Sequence, residues 1–128
     1  MLSCLAEKNQ LWAQHAPVLI MVCSHSLFSH NEAENRWAEY DTGAATVSLC
    51  LQAASLGLVT HQMGGFDVVG AVEKFDIPSR FHPMSVLALG YQGDESRLDE
   101  GFRSMEAASR KRKPLAEICF DGAWKPLI

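Results

Sequence analysis

Gly43-Ala-Ala-Thr-Val-Ser-Leu-Cys-Leu-Gln-Ala-Ala-Ser-Leu-Gly57 runs fifteen residues without a charged side chain and is small or apolar on nearly every side. A helix that is apolar all round is buried all round. A chain of 128 residues and 14.1 kDa has little material with which to surround such a helix. Its small residues also allow another helix to come close. Burial against a second subunit follows as the expectation, and a two-fold homodimer is the commonest form of it. Upstream, Asn31-Glu-Ala-Glu34 has a side-chain acceptor followed three residues later by a carboxylate, the arrangement of a capping box. The pattern predicts one long helix from Asn31 to Leu56, stopped by Gly57.

Working outward, Leu5–Gln14 carries Leu5, Leu11 and Trp12 among polar residues and ends before Pro17, which predicts a short helix. Pro17-Val-Leu-Ile-Met-Val-Cys23 is a continuous apolar run and predicts a fully buried strand. Beyond the long helix, Leu58–Met63 reads as a short extended segment, and Gly64-Gly65 breaks it. Asp67 is placed to cap a helix running to Phe75. Pro83 opens a last strand over Met84–Tyr91, Leu98–Ser109 reads as helix, and Pro114–Ile118 as extended. Helices and strands alternate without internal repeat or linker, giving one α+β (layered α/β) domain over 1–128.

Composition narrows the function classes. Eleven Lys and Arg against fifteen Asp and Glu give a net charge of −4, so the molecule is not built to wrap nucleic acid. The uncharged stretch Thr42–Thr60 carries Thr, Ser, Gln and Gly without flanking basic residues, which speaks against a membrane span. No basic segment followed by an apolar one opens the chain, so no signal peptide is expected. Four cysteines without a C-x-x-C, two of them inside apolar runs, fit a reduced cytoplasmic protein.

Few residues offer chemistry. Gly64-Gly65, between an extended segment and a capped helix, lets backbone approach a flat ligand and leaves N–H groups to donate, or else is a plain turn. In Arg110-Lys-Arg-Lys113 the two arginines are two apart, so on an extended chain they point the same way. They suit a phosphate clamp, a solvated basic turn or a localisation signal. The five histidines show no metal-ligand spacing. With no G-x-S-x-G and no Cys–His pairing evident, any catalysis must come from a cofactor.

Several of these segments together resemble the nitroreductase family, the FMN-dependent NAD(P)H oxidoreductases. Asn9-Gln-Leu-Trp12 with Ala16-Pro17-Val-Leu-Ile20 looks like the lead into a central strand of that family. Tyr40-Asp-Thr-Gly-Ala-Ala45 and Leu51-Gln-Ala-Ala-Ser-Leu-Gly-Leu58 resemble its dimer-interface helix. His61-Gln-Met-Gly-Gly-Phe-Asp67 is similar to its flavin-facing loop, Leu89-Gly90-Tyr91 to its last core strand, and Arg110-Lys-Arg-Lys-Pro-Leu115 with Glu117 to its phosphate motif.

The resemblance implies a nitroreductase-like mixed sheet flanked by helices, an obligate homodimer and one FMN per subunit. Gln62, Met63, Gly64 and Gly65 would line the isoalloxazine, with the N–H of Gly64 or Gly65 donating to flavin N5. Arg110 and Arg112 would hold the phosphate. NAD(P)H would be the co-substrate, and the acceptor a nitroaromatic, a quinone or a similar small molecule. The family's N-terminal Arg-Ser-x-Arg and Pro-Ser-x-x-Asn motifs have no match here, so the likeness is to its C-terminal portion. A shortened, non-catalytic dimerisation or binding subunit with weak or no FMN binding is therefore the alternative.

Overall fold

The structure, a computed structural model, describes residues 1–124, so the last four positions of the expected 1–128 domain lie outside the described residues. The chain divides into two compact units, Met1–Gly93 and one that begins at Asp94.

The first unit is built on an antiparallel sheet of β1 (Val18–His25), β2 (Val59–Met63) and β3 (Phe81–Gly90), in the order β1-β3-β2. The registers Ile20↔Leu87↔Gln62 and Met21↔Val86↔Met63 fix which residues share a face. On the Met63 face, Leu5, Ala13, Met63, Val86 and Ala88 form the buried core. Trp12, Leu19, Met21 and Phe66 pack against it. This face is covered by the short helix α1 (Glu7–Ala13) and the chain before it. The opposite face carries α2 (Ala38–Ser55), which touches both β1 and β2. Leu87, wholly buried in the central strand, belongs to the Gln62 face. Leu87→Ala should cost about 2–5 kcal/mol of unfolding free energy, read by urea denaturation, because the central strand cannot collapse around the void.

The expected strand at Pro17–Cys23 is present as β1, but it is not fully buried. Only Ser24 is buried along it, Val18 is exposed and the rest are half-buried. An edge strand has a neighbour on one side only, and the fully buried place falls to Val86, Leu87 and Ala88 of β3. β3 itself begins before the expected start at Met84 and contains Pro83. The pairing skips a residue here, Val22 opposing Ser85 and Cys23 opposing Pro83, so a bulge accommodates the imino acid inside a central strand.

The long helix starts at Ala38, not at Asn31. Glu32 has φ of 55°, a left-handed conformation that no α-helix continues through. The segment closes on itself instead. The Phe28 N–H donates to the Ala33 carbonyl and the Glu32 N–H to the Phe28 carbonyl, both at 2.8 Å, while Leu27 bridges to Glu34. Asn31 accepts from the Ala33 N–H and Asn35 from the Trp37 N–H, so these side chains make local turns before the helix begins. The far end is as expected: Gly57 follows the helix with φ of 74°. Asp67 likewise caps α3 (Val68–Lys74), accepting the Gly70 N–H at 3.0 Å.

Most of α2 is exposed. Only Ala38, Thr46 and Ala53 are buried, on one stripe, and Tyr40, Ala44, Val47 and Leu51 recur at helical spacing on the opposite side. Val47 is 52% and Leu51 68% exposed. Thr42 and Thr46 lie on the sheet-facing side of the helix and Ser48 is exposed; each donates back to the carbonyl four residues earlier, at 2.7, 2.7 and 2.9 Å. No helix among the described residues is long and apolar enough to cross a membrane.

The second unit holds α4 (Glu100–Glu106) between single 3-10 turns at Glu95–Arg97 and Leu115–Glu117. The helix expected over Leu98–Ser109 is thus shorter, ending at Glu106 with Ala107 as its cap. Pro114–Ile118 is a turn where an extended segment was expected. The N–H groups of Ile118 and Cys119 both donate to the Leu115 carbonyl, at 3.0 and 2.8 Å. Arg103 ties the front of the unit together, donating to the carbonyls of Ser96 and Leu98 at 3.1 Å and pairing with Glu100 at 3.4 Å.

Candidate functional site

The end of β2 gathers four of the six residues singled out from the sequence, and it treats each differently. Gln62 and Met63 are neighbours on a strand, so their side chains go to opposite faces. The Met63 side chain enters the core at 2% exposure, which leaves only its backbone for a ligand. Gln62 lies exposed on the α2 side, its Nε2 donating to Cys50 Sγ at 3.7 Å. Cys50 thus meets the Gln62 carboxamide, a contact with no signal in the sequence because it depends on how α2 lies across β2.

The two glycines also differ. Gly65 is locked to the N-terminal segment: its carbonyl accepts the Ala6 N–H at 2.9 Å and Asn9 Nδ2 at 3.2 Å. A Cβ there would lie 3.2 Å from Asn9 Nδ2 and 3.5 Å from the Ala6 Cβ. Gly64 has no such neighbour; a Cβ built on it meets nothing within 4 Å, and its φ is not in the left-handed region. Neither packing within the chain nor backbone conformation therefore requires glycine at 64. Among the described residues, no loop or turn hydrogen bond uses the N–H of Gly64 or Gly65 as donor. The result is an exposed, donor-bearing, side-chain-free ledge on a rigid strand end, a cradle that would admit a flat group.

Asn9 is the residue that fixes this ledge, and the sequence shows it only as part of a helix. Behind it, Trp12 meets the His61 ring edge-on, with centroids 4.7 Å apart. The thiol of Cys23 is pushed up from its usual pKa by burial, which keeps it neutral and a poor nucleophile. No group of three His, Cys, Asp or Glu residues suited to a metal ion occurs among the described residues.

Arg110 and Arg112, the remaining two, belong to the second unit. Both are exposed, and neither makes an ion pair among the described residues. Arg112 donates from Nη1 to the Lys111 carbonyl at 3.0 Å, and its other guanidinium donors have no partner among the described residues.

The first unit is thus an antiparallel sheet with a glycine ledge after one strand end and a long, small-residue helix on one face. A sequence model of the Nitroreductase family matches residues 4–91, and the chain belongs to that family. It is 35% identical over 120 residues to an uncharacterised 15.4 kDa protein of Mycolicibacterium smegmatis, covering 94% of this chain and 80% of that one. A solved structure described as an oxidoreductase containing FMN is 36% identical with a TM-score of 0.88; the match covers 98% of this chain and 65% of that one. NfrA2 of B. megaterium, 23% identical with a TM-score of 0.71, shares the fold over 97% of this chain and 52% of its own. The nitroreductase-like fold expected from the sequence is thus borne out, and the chain spans about two-thirds of the FMN-containing oxidoreductase.

Proposed function

We propose that this chain is an FMN-dependent oxidoreductase that takes reducing equivalents from NAD(P)H and passes them to a small acceptor such as a nitroaromatic or quinone. The observation that carries the proposal is Gly64. It is an exposed glycine that neither conformation nor internal packing requires, next to a glycine that both hydrogen bonding and close contact hold in place. A flat ring bound at the ledge explains why position 64 lacks a side chain. Family membership and the likeness to an FMN-containing oxidoreductase support the same reading.

When bound, FMN supplies the hydride-accepting and hydride-donating centre that the side chains of this protein lack. The chain's own part is positional. The N–H of Gly64 or Gly65 donates a hydrogen bond to the ring edge, polarising it towards reduction, and Gln62 offers its carboxamide from the strand end. Arg110 and Arg112 are proposed as phosphate ligands, through charge-assisted guanidinium hydrogen bonds. The homodimer belongs to the same proposal, with α2 as its interface; the exposed stripe Tyr40, Ala44, Val47 and Leu51 supports it. The reading also places the protein in the cytoplasm, where NAD(P)H is supplied.

The test is the absorbance spectrum of purified protein after loading with FMN and desalting. A retained flavin band that NADH or NADPH bleaches without oxygen is the expected result. A folded, dimeric sample that retains none would assign the chain to the non-catalytic alternative. If the arginines bind phosphate, Arg110→Ala with Arg112→Ala should weaken FMN affinity at least about tenfold, since each charge-assisted hydrogen bond is worth about 1.5–3 kcal/mol. Equal affinity in the double variant, measured by flavin fluorescence titration, would remove them from the site.

A further inference from the structure

A second concavity, which shares no lining residue with the glycine ledge, lies where β1 and β3 run on past the end of β2. Met63 of β2 pairs with Val86, whereas Ser24 of β1 pairs with His82, four positions further along β3. Here a cleft of about 190 Å³ opens beside the first turn of α2, lined by Ser24, Ser26, Glu34, Asn35, Glu39 and His82. That volume is several times the ~30 Å³ share of one water, enough for a compact organic molecule.

Its chemistry is one-sided. Glu34 and Glu39 make no ion pair among the described residues, and no Lys or Arg lines the cleft. The two nearby guanidinium groups are engaged elsewhere: Arg36 lies over the Trp37 ring at 4.1 Å and Arg80 over the Phe81 ring at 5.7 Å. The Ser26 hydroxyl donates to the Arg80 carbonyl at 3.0 Å, and Asn35 Oδ1 accepts from the Trp37 N–H. Ser24 is the exception. It is 1% exposed, it lines the cleft, and its hydroxyl has no hydrogen-bond partner among the described residues. Burying a hydroxyl without a partner is costly, so such an orphan points to a missing ligand.

We infer that this cleft binds a small organic ammonium ion, held by the carboxylates of Glu34 and Glu39 with the buried Ser24 hydroxyl as a third acceptor. Three N–H donors on one cationic centre match two carboxylates and a hydroxyl, and His82 offers an imidazole nitrogen at the rim. Anions are repelled by the two glutamates. The assignment does not depend on flavin binding, because no residue of the cleft belongs to the glycine ledge.

The experiment is a titration of ¹⁵N-labelled full-length protein with n-propylammonium chloride, with tetramethylammonium chloride at the same ionic strength as control. Saturable shifts are expected at the amides of Ser24, Ser26, Asn35 and Glu39, and none with tetramethylammonium, which has charge but no N–H. Glu39→Gln, at an exposed position, and Ser24→Ala should each weaken binding about tenfold or more, as loss of a hydrogen bond to a charged group does. Non-saturating shifts, equal shifts with tetramethylammonium, or unchanged affinity in both variants would overturn the proposal. In any of those cases the cleft holds solvent.

Discussion

Gly64→Val is expected to abolish flavin retention while leaving the fold intact. A Cβ built on Gly64 meets nothing within 4 Å, so a side chain there starts out in open space. It would occupy the surface on which the ring is proposed to rest. A branched side chain there should weaken FMN binding by about 100-fold or more, at 1.4 kcal/mol per factor of ten. Circular dichroism and the melting temperature should stay close to those of the parent. Gly65→Val is the informative partner, because its Cβ falls 3.2 Å from Asn9 Nδ2 in the segment that covers the core. That variant should lose stability whether or not flavin binds. Full FMN affinity in Gly64→Val would take the ledge out of the cofactor site.

Val47→Glu is expected to give a monomer or insoluble protein, judged by sedimentation against the parent. Val47 sits in the middle of the exposed apolar stripe of α2, opposite the residues that face the sheet. If the stripe is covered by a second copy, the new carboxylate is buried without a partner, at a cost of several kcal/mol. That is a loss of about three orders of magnitude or more in dimer affinity. A stable dimer carrying this substitution would move the interface to another surface.

What the sequence revealed, and what it hid, divides along the range of the interactions involved. Gly57 and Asp67 act within one turn of chain, and both were legible as the end of one helix and the cap of another. The false helix start at Asn31 arose because the local pattern was real but outcompeted. Ser26 and Asn35 are tied together, and Ser26 in turn to Arg80, so a turn set by distant partners overrode a capping box. The apolar run of β1 was visible, but its place at the edge depends on where β3 inserts, which no local window contains. The same holds for the ledge. The sequence shows two glycines; only the Asn9 and Ala6 contacts separate the one that serves the fold from the one left free for a ligand. Met63, grouped with the ligand-facing residues by its position in a motif, turns out to contribute its side chain to the core.

The strand order has a consequence for how this protein comes into being. Among the described residues β1 and β2 do not pair with each other; each has β3 as its strand neighbour, with Val18 opposite Leu89 and Val59 opposite Gly90. On the ribosome, neither strand has a partner until Phe81–Gly90 has been synthesised and has cleared the exit tunnel. Until then the nascent chain carries two unpaired edges and an apolar helix in search of cover, the species most open to capture by chaperones or by another nascent copy. These three strands then come together around β3. Such long-range pairing is slow relative to local structure, so this step should set the pace of folding.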